Sequence, residues 1–434
     1  MPISLENFQN KLRTLALQLF VASLPFSLMV NNVAIGILTI NWLFESSFPE
    51  KWKRIKGNPL VYCFTLFYVL SVIGLVYTEN MQQGLFELEK KLTLALFPLI
   101  LSSSNPISKV DIRKIFKAFI LSCTGASIVC FSYAIYRNYE EGHTLSYVFN
   151  ALFFDIHFPG RYYYFNYWYF TYSFFADGIN MHPVYFAMFI VFSSCLTVWL
   201  WWDKSGHENG ISIWVILFLF YNFIVVVLLS SRTQLFSLLL IGTSFILYYT
   251  YLRQKLIKGL LFIVTFYVAG FTILFINPIS NERFFKSMRL NSHYSENKFG
   301  EGGLSLRTYQ WRYTLETIAQ NPLAGTGTGD AQDELQVTYK KNNFKIGYDN
   351  NFNPHNQYLQ SALELGLLGL ISFIASLLFP AWLSIKRRAW LYFVFIVLFV
   401  FSCLTESLLE VNKGIVFYSF FNALLAFNFL KADD

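Results

Sequence analysis

Charge is scarce in this 434-residue chain: Asp, Glu, Lys and Arg supply only 14% of it, against roughly 25% in soluble domains. Length alone would fit about three soluble domains, and the shortage of charge argues against that reading. Cysteine is scarce too. Cys63, Cys123, Cys130, Cys195 and Cys403 all fall in apolar stretches and form no CxxC pair. Neither a disulfide framework nor a zinc site is expected from them. A Walker lysine and an Asp-rich motif are missing as well, so no nucleotide, metal or other cofactor is expected. The net charge of +7 is ordinary for a membrane protein and gives no reason to expect nucleic acid.

Apolar sequence, by contrast, is abundant. The chain is 55% hydrophobic and 20% aromatic. Apolar runs of about 20 residues recur along it, each long enough to span a bilayer as a helix. The runs are continuous rather than alternating, which argues against a β-barrel. The expected fold is an all-α polytopic membrane protein, a single integral domain over 1–434. Twelve transmembrane helices are expected, near 14–30, 33–48, 60–77, 86–103, 115–136, 183–202, 211–229, 234–252, 256–277, 357–379, 389–405 and 413–430. The run TLALQLFVASLPFSLMV follows a short polar lead and reads as an uncleaved first helix. No internal repeat is evident.

Twelve spans put both termini on one side, and the basic residues test that. Eighteen lie on the N-terminal side, while the short loops opposite hold four: Lys90, Lys91, Arg232 and Lys413. The other 11 lie in two long loops, which the positive-inside rule does not count. Both termini are therefore expected in the cytoplasm. The two long loops face outward. One, 137–182, carries the aromatic run GRYYYFNYWYFTYSFF, whose rings either stack on sugars or, the favoured reading, form an interfacial belt. The other, 278–356, is polar and holds an amphipathic helix, SLRTYQWRYTLETIAQ, that ends at NPLAGTGTGD. Loops of that length are usually functional elements.

The stretch FNPHNQYLQSALELGLLGL, Phe352 to Leu370, opens an apolar run with a proline and a histidine. Asn353 is a suitable N-cap and Pro354 suits the first helical position, which would put His355 in the first turn. The positive end of the helix dipole disfavours imidazolium there. A neutral imidazole at the membrane surface can accept a proton from a hydroxyl. The plainer reading is an interfacial histidine without chemistry. Ala362, Gly366 and Gly369 share one face, and small residues let helices approach closely in lipid. Their expected role is helix packing.

Arg232, in LLSSRTQLF, lies between two apolar spans on the outer side, where a guanidinium is expensive without a partner. It is suited to bidentate phosphate binding, with a snorkelling arginine as the alternative. Arg307 and Arg312 are five residues apart and diverge by about 140° on an ideal helix. Only one is expected to face a site. Arg307 is favoured, since Arg312 can pair with Glu316. GTGTGD, Gly325 to Asp330, lacks the lysine of a phosphate loop and reads as a turn that positions the preceding helix. Lys90 and Lys91 either add positive charge to an anion site or pair with Glu87 and Glu89. His182, which with Pro183 opens the next span, and nearby Tyr185 are supporting candidates.

The segment His355-Asn356, nine residues, then Gly366-Leu367-Leu368-Gly369 resembles the signature of bacterial O-antigen ligases. The position after it is Leu370, where the family usually has Gly, Thr or Tyr, a departure from the ligase form. LSSRTQL, LRTYQWRYTLETIAQNPLAGTGTG, ELEKKLTLALFPLIL, HPVYFAMF and LTESLLE (404–410) are also similar to the wider superfamily, which includes Wzy-type polymerases. The resemblance implies a GT-C-like helical fold in the bacterial inner membrane and metal-independent, inverting glycosyl transfer on the periplasmic face. The implied donor is an undecaprenyl-diphosphate-linked glycan. The acceptor is lipid A–core in a ligase or a second lipid-linked glycan in a polymerase. Membrane lipids surround both. On matching positions, His355 is the general base, and Arg232 and Arg307 hold the diphosphate. Arg312, Lys91, Asn356, His182 and Tyr185 are further candidates for substrate binding.

A secondary transporter is the competing class. It would call for inverted repeats, broken helices and mid-span charges. No repeat is evident, and the polar residues collect at the outer ends of spans.

Overall fold

The computed structural model describes residues 5–141, 167–205, 210–276 and 304–430. Most of the aromatic run and the first part of the 278–356 loop lie outside the described residues. Every regular element among those described is helical. In chain order they are α1 (Leu5–Ser23), α2 (Leu28–Glu45), α3 (Phe48–Lys56), α4 (Pro59–Gly74), α5 (Met81–Lys91), α6 (Thr93–Ser103), α7 (Lys109–Glu140), α8 (Tyr172–Ala176) and α9 (Pro183–Ser205). There follow α10 (Ile213–Leu228), α11 (Arg232–Leu252), α12 (Leu256–Ile276), α13 (Leu304–Ile318), α14 (Ala331–Lys341), α15 (Lys345–Asp349), α16 (Gln357–Lys386), α17 (Trp390–Cys403) and α18 (Asn412–Phe429).

Six of these segments are long and apolar enough to cross a membrane: Leu28–Glu45, Pro59–Tyr77, Lys109–Glu140, Pro183–Lys204, Arg232–Leu252 and Gln357–Lys386. The protein is a nearly all-helical membrane protein. Several of the twelve expected spans have other bounds. The run 14–30 is interrupted, because α1 stops at Ser23 and the amides of Phe26 and Ser27 turn back onto its carbonyl, each at 2.9 Å. Pro25, with a fixed φ and no N–H, favours that turn. The run 86–103 is two helices of 11 residues, α5 and α6. Its first half carries Glu87, Glu89, Lys90 and Lys91, too much charge for an apolar span.

The chain forms two compact units. The first takes residues 5–20, 28–112 and 304–430 of those described. Its centre is α18, in which every residue from Lys413 to Phe427 is buried, as expected for a helix that is apolar all round. Phe20, Phe97 and Phe420 interlock there, with ring centroids 4.7–5.3 Å apart. A smaller core lies under α13, α14 and α15, where Tyr313, Leu335, Tyr339 and Phe344 close over Leu363 of α16. Fully burying each such side chain is worth roughly 1.5–3 kcal/mol, which is what fixes the polar helix α13 on the end of α16.

Helix α16 is broken. Gly366 has φ +61° and ψ −154°, a backbone conformation open essentially to glycine alone. The turn after α13 inserts at the break. Thr326 N and Gly327 N donate to the carbonyls of Leu363 and Glu364 at 2.9 and 3.0 Å, and Leu367 N donates to Pro322 O at 2.9 Å. The backbone groups freed by the break are thereby satisfied, as apolar surroundings demand. The packing role expected of Gly366 is corrected on this point. What approaches it closely is the backbone of Leu323 and Ala324, on which a Cβ would collide, rather than a neighbouring helix. A Cβ on Gly369 would meet Leu365 and the carbonyl of Ser361, both within its own helix.

The second unit takes residues 21–27, 113–141, 167–205 and 210–276. Helix α9 forms its interior, with Phe186, Phe189 and Phe192 fully buried. Asn222 of α10 donates to the hydroxyls of Ser193 and Ser194 at 3.2 and 2.9 Å, a polar clasp of the kind that joins helices in lipid.

Candidate active site

His355 lies in the turn before α16 rather than in its first turn. Asn356 is the N-cap, with its side chain accepting from Leu359 N at 3.1 Å, and the helix begins at Gln357. Asn353 caps locally instead: its side chain accepts from His355 N at 2.9 Å, an Asx turn. The two asparagines are both competent caps, and the later one caps α16 because His355 between them is left-handed and cannot lie in a right-handed helix. His355 is left with φ +46°, an uncommon state for a side-chain-bearing residue that surroundings must hold. Trp311 of α13 helps, donating its indole N–H to Pro354 O at 3.0 Å.

Arg307 and Trp311 are four residues apart and so share a face of α13. That face meets the His355 turn. Arg312 is exposed on another face, as the angular argument expects. Its expected partner Glu316 instead takes hydrogen bonds from Lys341 and Asn342, both at 3.0 Å.

The residue that joins His355 to Arg307 is Glu406. Its Oε2 is 3.1 Å from His355 Nδ1, and its Oε1 accepts from Arg307 Nη2 at 3.0 Å. The Glu406 side chain is 7% exposed, against 30% for His355 and 33% for Arg307. The carboxylate is thus sunk beneath two groups that reach outward. The loop bearing it is pinned to the start of α16 by other bonds. Asn356 N donates to Ser407 Oγ at 3.2 Å, Asn356 Nδ2 to Leu404 O at 3.2 Å, and Leu409 N to the side chain of Gln357 at 2.7 Å. Sequence reasoning quoted LTESLLE but singled out no residue in it. Two glutamates, Glu406 and Glu410, between two apolar spans were the available signal.

The remaining candidates are placed as follows. Asn356 is mostly buried and its amide is engaged at both ends, so it positions the His355 turn. Lys91 is fully buried and donates to both carboxylate oxygens of Glu364 at 2.6 Å, so its charge is turned inward and away from an outer anion site. Lys90 does pair with Glu87, at 2.6 Å. Asp330 of GTGTGD accepts from Glu79 N and Asn80 N, both at 2.7 Å, which makes this segment a clasp on the α4–α5 turn. Arg232, His182 and Tyr185 belong to the second unit. Arg232 is the first residue of α11, an end where the helix dipole opposes a cation, so helix stability does not explain it. His182 meets Tyr172 and Tyr185 edge-on at 6.2 and 5.8 Å.

Among the described residues no group of three or more His, Cys, Asp or Glu is arranged to hold a metal ion. A cavity of about 330 Å³ lies at the other end of α16, lined by Phe379, Leu383 and Arg387 among others. It does not include His355, Arg307 or Glu406.

Residues 214–374 match the O-antigen ligase family. That segment contains Arg232, Arg307, His355, Gly366 and Gly369, and ends before Glu406. An uncharacterized protein of Haemophilus influenzae is 30% identical over 204 residues, a match that covers 43% of this chain and 49% of the relative. The chain therefore spans about half the length of this relative. Similarity to the O-antigen ligase family thus covers the matched segment, which holds the His355 turn, Arg307 and the broken helix.

Proposed function

We propose that this protein transfers a glycan from undecaprenyl diphosphate to a hydroxyl of lipid A–core, at the periplasmic face of a bacterial inner membrane. The reading includes twelve spans in a GT-C-like arrangement with both termini in the cytoplasm, supported by the alternation of basic and non-basic loops. The observation that carries it is the pairing of His355 and Arg307 on one carboxylate, within a segment that matches the ligase family.

In this reading His355 takes the proton of the acceptor hydroxyl. The acceptor oxygen bonds to the anomeric carbon from the face opposite the diphosphate. The bond to the leaving oxygen breaks, its electron pair departs with undecaprenyl diphosphate, and the anomeric configuration inverts. Arg307 meets the charge that builds on the diphosphate. Arg232 is assigned to diphosphate binding on the family resemblance alone. The donor carries its own leaving group, so no nucleotide or metal is called for.

A second reading, a polymerase that joins lipid-linked repeats, is favoured by one observation, Leu370 at the position where ligases carry Gly, Thr or Tyr. The purified protein distinguishes the two when given lipid-linked repeat with and without lipid A–core. Glycan on lipid A–core, with no chain growth in its absence, is the expected product. Chain growth from the lipid-linked repeat alone would replace the ligase reading with the polymerase, and no transfer in either mixture would remove both.

A further inference from the structure

We infer that Glu406 is a positioning residue that sets the tautomer of His355 and anchors one corner of Arg307. The inference rests on the reading of His355 as the base, and supplies what makes that nitrogen basic.

An ionised carboxylate accepts and cannot donate. Its Oε2 lies against His355 Nδ1 at 3.1 Å. In a neutral imidazole, which carries a single N–H, that neighbour draws the proton to Nδ1. Nε2 is left with its lone pair and takes no hydrogen bond among the described residues. The ring edge turned away from Glu406 is then the basic one. Oε1 meanwhile receives Arg307 Nη2 at 3.0 Å, which leaves the other guanidinium N–H groups for an anion. One buried carboxylate thus presents an acceptor nitrogen and a donor fork side by side. During transfer the acceptor's proton moves to Nε2, and the imidazolium formed rests against Glu406. The carboxylate itself gains no proton.

A glutamine fits the same space but cannot do both tasks. Its oxygen accepts from one partner, while its N–H₂ meets the other, a donor facing a donor. The loop should survive the change, because Asn356 and Gln357 pin it independently.

The test uses full-length protein in lipid nanodiscs, with ¹⁵N-labelled histidine and the His355 signals identified by their loss in His355→Gln. At a pH where the ring is neutral, wild type is expected to show a protonated Nδ1 and a bare Nε2. Glu406→Gln is expected to shift His355 toward the other tautomer and to lower kcat by roughly 10- to 100-fold, the range for loss of an orienting partner. Glu406→Asp keeps the charge on a shorter arm and is expected to fall between them. A wild-type His355 protonated at Nε2 would overturn the inference by itself, even if Glu406→Gln failed to fold. So would an unchanged tautomer and rate in Glu406→Gln. Full transfer by His355→Ala would instead refute the base reading, and would leave the tautomer measurement standing.

Discussion

Lys91 places its ammonium 2.6 Å from both carboxylate oxygens of Glu364, and both side chains are shut away from solvent. Glu364 sits two residues before the break in α16. Glu410 and Glu87 also reach this lysine, at 3.4 and 3.9 Å. The pair ties α5 to the point where α16 changes direction, in the first unit of the chain.

Removing one member of such a pair leaves a buried charge uncompensated, at about 3–5 kcal/mol. Lys91→Met alone is expected to lower the unfolding midpoint of the detergent-solubilised protein sharply. Adding Glu364→Gln should recover much of the loss. A double mutant that simply sums the two single losses would count against the pair.

Stability should also depend on pH through Glu410. Burial, reinforced by Glu87 and Glu364 and opposed by Lys91, raises its carboxyl from an ordinary 4.5 to about 7. The folded protein therefore holds this proton more tightly than the unfolded chain. The stabilisation is complete below pH 4.5 and is lost as pH rises through about 7. Glu410→Gln mimics the protonated group. Its unfolding midpoint should fall less than that of wild type across this window; parallel curves would refute the assignment.

Gly366→Ala is expected to be among the most damaging small substitutions. The backbone conformation alone costs about 1–3 kcal/mol in a residue with a Cβ, and the new methyl would collide with the Leu323 carbonyl. Gly36→Ala serves as the control, since a Cβ there meets nothing within 4 Å. Folded yield in membranes and the unfolding midpoint should drop for the first variant only.

Arg307→Lys keeps the charge and loses the fork. With only a point charge to divide between Glu406 and a diphosphate, kcat should fall on the order of 10²-fold. Arg312→Lys, on the exposed face, should transfer glycan at nearly the wild-type rate. Wild-type kinetics in Arg307→Lys would argue against bidentate contact.

Two residues of the candidate site were legible because they sit in recognisable local settings. His355 stands beside a proline at the mouth of an apolar run, and Arg307 lies on an amphipathic helix whose geometry lets only one of Arg307 and Arg312 face the same way. The start of α16 was misread by three residues, because Asn353 and Asn356 offer the same capping chemistry and only the left-handed backbone of His355 between them decides which one caps. Gly366 was misread for a similar reason. A glycine in an apolar helix signals close packing by default, and its neighbour here is a turn from about 40 residues upstream.

The sequence by itself determined that the chain belongs in a membrane and is helical, because apolar length and the lack of charge leave few alternatives. It also determined which polar residues were worth watching. Only the tertiary structure decided what each one touches. Glu406 lies 51 residues from His355 and 99 from Arg307, and Lys91 lies 273 from Glu364. Local propensity reaches across a few turns of helix, whereas a charge is paired by whatever the folded chain brings to within about 3 Å of it.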